Sequence, residues 1–305
     1  MAKEFDLLVA GEINPDLILS DPALEARFGQ QETLVEDATL TIGSSSAIFA
    51  CGAARLGLKV AFIGVVGNDF FGNYMLAALA SRGVDVSQVI IVPDQKTGLS
   101  VILDRGLDRA ILSHIGTMNA LRADQVTDDL LRRTRHLHVA SYFLQTALLP
   151  DLPALFKKAR ALGVSTSLDT NWDPAEQWSG VATSLQATTV FFPNQAEALA
   201  LTQTSTVEEA LQVLAGDLPV VAIKLGKEGA VAQRGAEVVH IPALSIEVVD
   251  TVGAGDSFDA GFIYGYLQGW SLEATLRLAV ACGSLSTRAH GGTAAQPTLQ
   301  EAMAR

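Results

Sequence analysis

Short uninterrupted apolar runs alternate along the chain with longer stretches in which apolar residues return every third or fourth position. The runs at 5–10, 59–66, 136–140, 164–168, 188–192 and 219–225 read as buried strands. Helical spacing is found at 70–81, 121–134, 152–162 and 272–288, with Gly83 and Gly163 as stops. Strands that alternate with helices predict an α/β core around a mostly parallel sheet. Residues 20–42, 89–92, 98–103 and 109–113 alternate apolar and polar positions instead, which suits short strands of a second, small sheet. Polar side chains gather just beyond several apolar runs: Asn14 and Asp16, then Asp169 and Asn171, then Asn194 and Glu197. Ligands of open parallel sheets sit at such strand ends.

One stretch carries more than pattern. Residues 248–262 read as a short apolar strand at 248–249, a glycine turn and a helix start. Gly253 and Gly255 permit positive φ and leave room for a close ligand. Asp256 and Ser257 suit a helix N-terminus, and Phe258, Phe262 and Tyr266 follow at helical spacing. The free N–H groups and the helix dipole of such a turn make an anion site. A carboxylate inside that site, Asp256, would repel a merely bound phosphate. It makes sense as the acceptor of a hydrogen bond from the hydroxyl of a second substrate, with the turn stabilising a phosphoryl group in flight. A plain strand–turn–helix with an Asp near the N-terminus explains the same short motif without chemistry.

The 305 residues fit one large domain or one with a small appendage, and 49% hydrophobic with 18% charged residues describes a globular core. The formal charge of −12 argues against nucleic acid or an anionic membrane as partner. It leaves a phosphate ligand open, with Mg²⁺ to neutralise it. Cys51 and Cys282 lie in apolar helical stretches and read as buried thiols. The N-terminus has no apolar signal core, and no apolar run is long enough to span a bilayer, so a cytoplasmic protein is expected. No Walker-type string occurs, and a Rossmann reading lacks its third glycine, because Phe258 stands there.

The string Asp250-Thr-Val-Gly-Ala-Gly-Asp-Ser-Phe258, followed by a glycine-spaced helix, resembles the signature of the ribokinase-like (PfkB) carbohydrate kinases. Asn14-Pro-Asp16, Gly64-x-x-Gly-Asn-Asp-x-Phe-Gly72, Asn194-x-x-Glu197 and Leu225-Gly-x-x-Gly229 match further motifs of that family. The resemblance implies a three-layer α/β/α core with a mostly parallel sheet and a small β-sheet lid, its strands contributed by about 12–42 and 89–115. It implies ATP with Mg²⁺, and relatives often hold a monovalent cation (K⁺) near the 290–293 loop. Carried over, Asp256 is the catalytic base, and Gly253, Ala254 and Gly255 form the anion hole. Asn14, Asp16, Gly43, Ser44, Asp169 and Asn171 face the sugar. Asn194, Glu197, Lys224, Gly226 and Gly229 face the nucleotide, with Glu197 toward Mg²⁺. The helix dipole is expected to keep Asp256 ionised.

Two positions depart from the family pattern. Ile48 stands where an Asn is usual, which removes a sugar-binding amide while leaving the phosphoryl-transfer machinery untouched. Asp173 stands where an Arg is usual, which disfavours an already phosphorylated sugar. A sugar kinase is the first reading. A nucleoside kinase and a non-catalytic sensor with the same fold are the alternatives. Lid edges can pair, so a homodimer through the lid belongs to the expectation.

Overall fold

The computed structural model describes residues 3–106 and 108–305. Its strands are β1 (Phe5–Ala10), β2 (Pro15–Ser20), β3 (Asp37–Ile42), β4 (Val60–Ile63), β5 (Val65–Gly67), β6 (Ile90–Val92) and β7 (Leu99–Asp104), then β8 (Arg109–His114), β9 (Thr134–Val139), β10 (Ser165–Leu168), β11 (Val190–Phe191), β12 (Val220–Lys224), β13 (Ala230–Arg234) and β14 (Glu237–Ile241). Its helices are α1 (Ser45–Arg55), α2 (Phe70–Ser81), α3 (Asp128–Arg132), α4 (Leu152–Ala161) and α5 (Val181–Leu185), then α6 (Gln195–Thr202), α7 (Val207–Asp217), α8 (Ala254–Leu267), α9 (Leu272–Ser286) and α10 (Leu299–Met303).

Eight strands build the main sheet in the order β14-β13-β12-β11-β10-β9-β1-β4, parallel from β12 to β4 and antiparallel at β13 and β14. Side chains of β1 alternate between two cores, as the pleat requires. Leu7 and Val9 join Phe49, Phe62 and Phe262 on one face, whereas Leu8 and Ala10 join Phe156, Leu168 and Val221 on the other. Helices cover both faces, giving the three-layer arrangement. Cys51 and Cys282 are buried free thiols. Among the described residues no helix is long and apolar enough to cross a membrane.

Polar side chains inside the sheet are paired with one another. His136 of β9 lies 2.7 Å from both Ser165 Oγ and Ser167 Oγ, and His138 Nδ1 lies 2.7 Å from Ser167 Oγ. The Phe49 ring stacks on His138 at 3.7 Å. Burial pushes both imidazoles down, that of His138 to about 3, so both are neutral at ordinary pH.

The lid is a separate sheet ordered β3-β2-β7-β8. It is fed by two distant segments because β2 pairs antiparallel with β3 and parallel with β7. Residues 89–92 do not belong to it: Val65–Gly67 pairs with Ile90–Val92 as a parallel two-stranded sheet of its own. The apolar run at 59–66 is broken at Gly64, where a side chain would run into Ile13 and the Gly11 carbonyl. The spacing over 121–134 gives a 3₁₀ turn and the short α3 instead of one helix, since Thr134 already starts β9 against Phe5 of β1.

Helices α8 and α9 pack closely because glycines remove side chains at the contact. A Cβ on Gly261 would come within 2.9 Å of Ala279 Cα, and one on Gly265 within 3.0 Å of Thr275 Cα. Each interior glycine costs about 1 kcal/mol of helix propensity relative to Ala. Gly261→Ala should therefore lose more through overpacking, about 1–3 kcal/mol, than it gains in propensity. Urea denaturation is expected to give a lower midpoint for this variant. An unchanged or higher midpoint contradicts the packing account.

Candidate active site

The late glycine turn opens α8 as the sequence suggests, with two differences. The Val248–Val249 pair is not a strand: both side chains are exposed, and the segment is tied by Val249 and Asp250 N–H groups to Thr287 O at 2.8 and 3.1 Å. Gly253 has φ +72° and forms the N-cap of α8, whereas Gly255 is not in the positive-φ region and already belongs to the helix. Asp250 clamps the entry, its Oδ1 accepting from Val252 N–H at 2.9 Å and its Oδ2 from Gly291 N–H at 2.8 Å.

Within the turn the Ala254 N–H is given to Thr251 O at 3.3 Å and the Ser257 N–H to Gly253 O at 2.9 Å. Gly253, Gly255 and Asp256 N–H have no acceptor among the described residues. These donors at the start of a fourteen-residue helix form the anion-binding turn, and Ala254 adds no free donor to it. Ile48 of α1 packs against this turn. A Cβ on Gly253 would lie 2.8 Å from Ile48 Cγ2. The departure at 48 therefore does touch the glycine turn, contrary to the sequence expectation.

A cavity of about 580 Å³ opens beside the turn, between the main sheet and the lid, and Asp256 lines it together with Gly253 and Gly255. Asn14, Asp16, Ser44, Asp169 and Asn171 line the same cavity from the ends of β1 and β10, the lid strand β2 and the start of α1. Gly43 is not at its surface, but only a glycine leaves room there for the Asp16 carboxylate. Asn14 Nδ2 donates to Pro15 O and toward Asp16 Oδ1 and Ser100 Oγ, while Asn14 Oδ1 is buried without a partner among the described residues. Burial pushes Asp16 up to about 7, against the opposing pull of Arg109. Of the lid charges, Arg109 lines this cavity, and Arg105, Asp108 and His114 do not.

Asp256 is buried, and its carboxyl is raised well above the ordinary range. Burial is the main cause, and the charges of Asp169 and Glu12 add to it, while Lys224 and the Ser45 hydroxyl pull the other way. The helix dipole does not hold this carboxyl in its ordinary range, although the sequence alone suggested that it would. Desolvation and neighbouring carboxylates outweigh it.

Lys224, at the end of β12, is held in a buried knot. Its Nζ is 2.6 Å from Asp169 Oδ2 and 3.4 Å from Asp259 Oδ1. Burial disfavours the ammonium, but Asp169, Asp259 and Glu197 more than compensate and hold its pKa up. Asp169 is lowered: burial raises it, and Lys224 with hydrogen bonds from Asp259 and the Asn171 N–H overcomes that. Asp259 is pushed well up by burial, with Lys224 pulling against it and Asp169 adding to the rise.

Lys224, Gly226, Thr251 and Gly255 also line a second cavity of about 410 Å³. Its other walls include Gly229, Leu244, Ile246, Val248, Phe258 and Val280. This is a mostly apolar slot beside the glycine turn. Gly229 has φ +92°, and a side chain there would run into the Ile241 carbonyl, so glycine is required. Asn194 and Glu197 form a full capping box at α6: Asn194 N–H to Glu197 Oε2 is 2.8 Å and Glu197 N–H to Asn194 Oδ1 is 3.0 Å. Both also line the larger cavity. Burial, with Asp169, raises Glu197 to about 7. Among the described residues no three acidic, His or Cys side chains are grouped to hold a metal.

Sequence reasoning passed over three of these residues. Glu12 lines the larger cavity, Asp259 sits one turn beyond Asp256, and Ser141 follows β9. A carboxylate at a strand end and one between Phe258 and Ala260 in an apolar helix were the available signals.

The sequence profile of the pfkB family of carbohydrate kinases matches residues 5–299. The chain is similar to an ATP-dependent ribose-1-phosphate kinase of Halopiger xanaduensis, 32% identical over 95% of this chain and 94% of that one. It is 33% identical to a 2-dehydro-3-deoxygluconokinase of Bacillus subtilis over 83% of this chain and 82% of that one. Among solved structures, a protein from E. coli described as a ribokinase II, in complex with ATP and Mg²⁺, superposes with a TM-score of 0.87 at 25% identity over 98% of both chains. Fold, lid, glycine turn and whole-length similarity converge on one assignment: the chain belongs to the pfkB family and is a carbohydrate kinase.

Proposed function

We propose that the protein transfers the γ-phosphoryl group of ATP to a hydroxyl of a sugar or sugar-like acceptor, with Asp256 as base and the 253–256 turn as anion hole. One observation carries the reading: the Asp256 carboxyl and the unpaired N–H groups of Gly253, Gly255 and Asp256 meet at the mouth of one polar cavity, beside a separate apolar slot. Asn14, Asp16, Gly43, Ser44, Asp169 and Asn171 are assigned to the acceptor. Asn194, Glu197, Lys224, Gly226 and Gly229 are assigned to the nucleotide.

In this reading Asp256 receives the proton of the acceptor hydroxyl as its oxygen bonds to phosphorus and the bond to ADP breaks. The backbone donors of the turn face the charge on the transferred group, and Lys224 at the junction of the two cavities adds a fixed positive charge. Mg²⁺ bound with the nucleotide, near Glu197, supplies further neutralisation. The elevated pKa of Asp256 makes it the stronger acceptor once ionised. A monovalent cation (K⁺) near the 290–293 loop belongs to the same reading. So does a homodimer through the free lid edge, where β8 is exposed along its length.

A second reading, a nucleoside as acceptor, is favoured by one feature. Ile48, Ile102, Ile111, Met118 and Leu144 make one flank of the acceptor cavity apolar. A free sugar has no use for so much apolar wall, whereas a base carried on a ribose does. ADP release with ribose, fructose, 2-dehydro-3-deoxygluconate and adenosine separates the two.

Three outcomes are expected. Asp256→Asn lowers kcat by about 10²–10⁴, the usual share of a general base, with little change in ATP affinity; retained turnover removes the assignment. In the wild type, kcat/KM falls on the acid side along a limb well above the ordinary carboxylate range, because Asp256 must lose its proton to act; a limb near pH 4 contradicts this. The third concerns Asp16, which is near 7 when folded and about 3.9 when unfolded. The folded state binds the extra proton between these values, so its stability declines as pH rises through that window. Asp16→Asn escapes the decline and should raise Tm by about 2–6 °C at pH 8, with no gain at pH 4, while weakening acceptor binding.

A further inference from the structure

The buried carboxylate of Glu12 has no part in the reaction as described, yet it stands at the centre of the acceptor side. It follows directly on β1 and is 2% exposed. Its Oε1 accepts from Ser46 N–H at 3.2 Å and from Ser141 Oγ at 2.9 Å, with Ser44 Oγ at 3.0 Å. Its Oε2 accepts from Ser46 Oγ at 2.6 Å. The Ser44 hydroxyl also donates to the Glu12 carbonyl at 2.7 Å and caps α1 by accepting from Ala47 N–H at 3.0 Å. One side chain thus fastens three loops that are distant in sequence: the end of β1, the start of α1 and the end of β9.

Those loops are not relaxed. Ser44 has φ +68° and Ser141 has φ +50°, and Asn171, which accepts from Ser141 N–H at 3.0 Å, has φ +53°. Non-glycine residues in this region are strained and persist only where their surroundings over-determine them. Glu12 contacts two of these residues, Ser44 and Ser141, directly and reaches Asn171 through Ser141. The hydrogen bonds continue from it toward the reacting centre. Asn171 Nδ2 donates to Ser45 Oγ at 3.0 Å, and the Ser45 hydroxyl stands against Asp256. With Oε1 taken by Ser46 N–H and the Ser141 hydroxyl, beside Ser44 Oγ, and Oε2 by a short contact from Ser46, Glu12 has little capacity left for a ligand.

We infer that Glu12 is a positioning residue that fixes the acceptor-binding loops around Ser44, Ser141 and Asn171, and through them the orientation of the acceptor hydroxyl toward Asp256. This rests on the proposed kinase reading and deepens its acceptor side. Glu12 does not line the apolar slot, so its effect on substrate binding is expected on the acceptor and not on ATP.

The test is a KM comparison with the best acceptor from the panel of ribose, fructose, 2-dehydro-3-deoxygluconate and adenosine. Glu12→Ala should raise the acceptor KM by about 10- to 100-fold, the range for losing hydrogen bonds to one buried charge, while the ATP KM stays within about twofold. Glu12→Gln keeps the shape and an acceptor oxygen, and should recover most of the loss. Ser141→Ala removes a single donor from a chain that otherwise folds as before, and should raise the acceptor KM alone by about 3- to 10-fold. Hydrogen exchange adds a readout that needs no acceptor: faster exchange at 44–47 and 141 in Glu12→Gln and Ser141→Ala, with the start of α8 unchanged, is expected. Parallel rises in both KM values, or wild-type acceptor KM and exchange in Glu12→Gln and Ser141→Ala alike, overturn the inference. If Asp256→Asn is inactive while the Glu12 and Ser141 variants behave as wild type, the kinase reading stands and only this inference falls. If Asp256→Asn turns over normally, the kinase reading itself falls.

Discussion

The site depends on a buried ammonium held between two carboxyls. Lys224 at the end of β12 meets Asp169 at the end of β10 and Asp259 on α8, so one cation joins two strands of the sheet to the helix whose N-terminus forms the anion turn. Burying such charges is costly, and breaking a buried pair by deleting one partner costs more than surface pairs ever return. The arrangement therefore acts less as a source of net stability than as a constraint on where α8 begins. Close packing of the α8 glycines against α9 supplies the second half of that constraint from behind. Together they set Gly253 against Gly292 and Ile48, and leave Gly255 bordering both cavities.

Much of this was readable from the sequence because its signals are local. The run 250–258 states its own turn, the strand ends carry their polar residues in order, and the switch from helical to alternating spacing marks the lid. What could not be read is what depends on residues far apart. Val248 and Val249 look like a strand by hydropathy, but no neighbouring strand is available, and Val248 lines the nucleotide slot instead. The 121–134 stretch has helical spacing, but pairing of Thr134 with Phe5 claims its end for the sheet. Glu12 reads as an ordinary loop acid, and its role appears only when Ser46 and Ser141 arrive beside it. The ionisation of Asp256 was misjudged for the same reason. The dipole is visible in the sequence, while Asp169 and Glu12 become its neighbours only in the fold.

The two cavities are built on different principles. The smaller one has mostly apolar walls with glycines. The acceptor side uses a continuous polar network, Glu12 to Ser141 to Asn171 to Ser45, in which each group satisfies the next. Networks of this kind are rigid when complete and expensive when one member is lost. Opposite this network stand Ile48 and the apolar lid residues Ile102 and Ile111.

The paired imidazoles inside the sheet have a consequence for how the molecule responds to acid. His136 and His138 refuse protons when folded and accept them near 6.5 once released, so each erodes the native state as the medium acidifies. The cavity carboxyls with elevated values, Asp16 and Glu197 among them, do the reverse and relieve the native state over the same range. Two opposed proton demands, one from the scaffold and one from the catalytic cleft, thus partly cancel. The chain can carry a cleft crowded with acids without tying its survival steeply to the acidity around it.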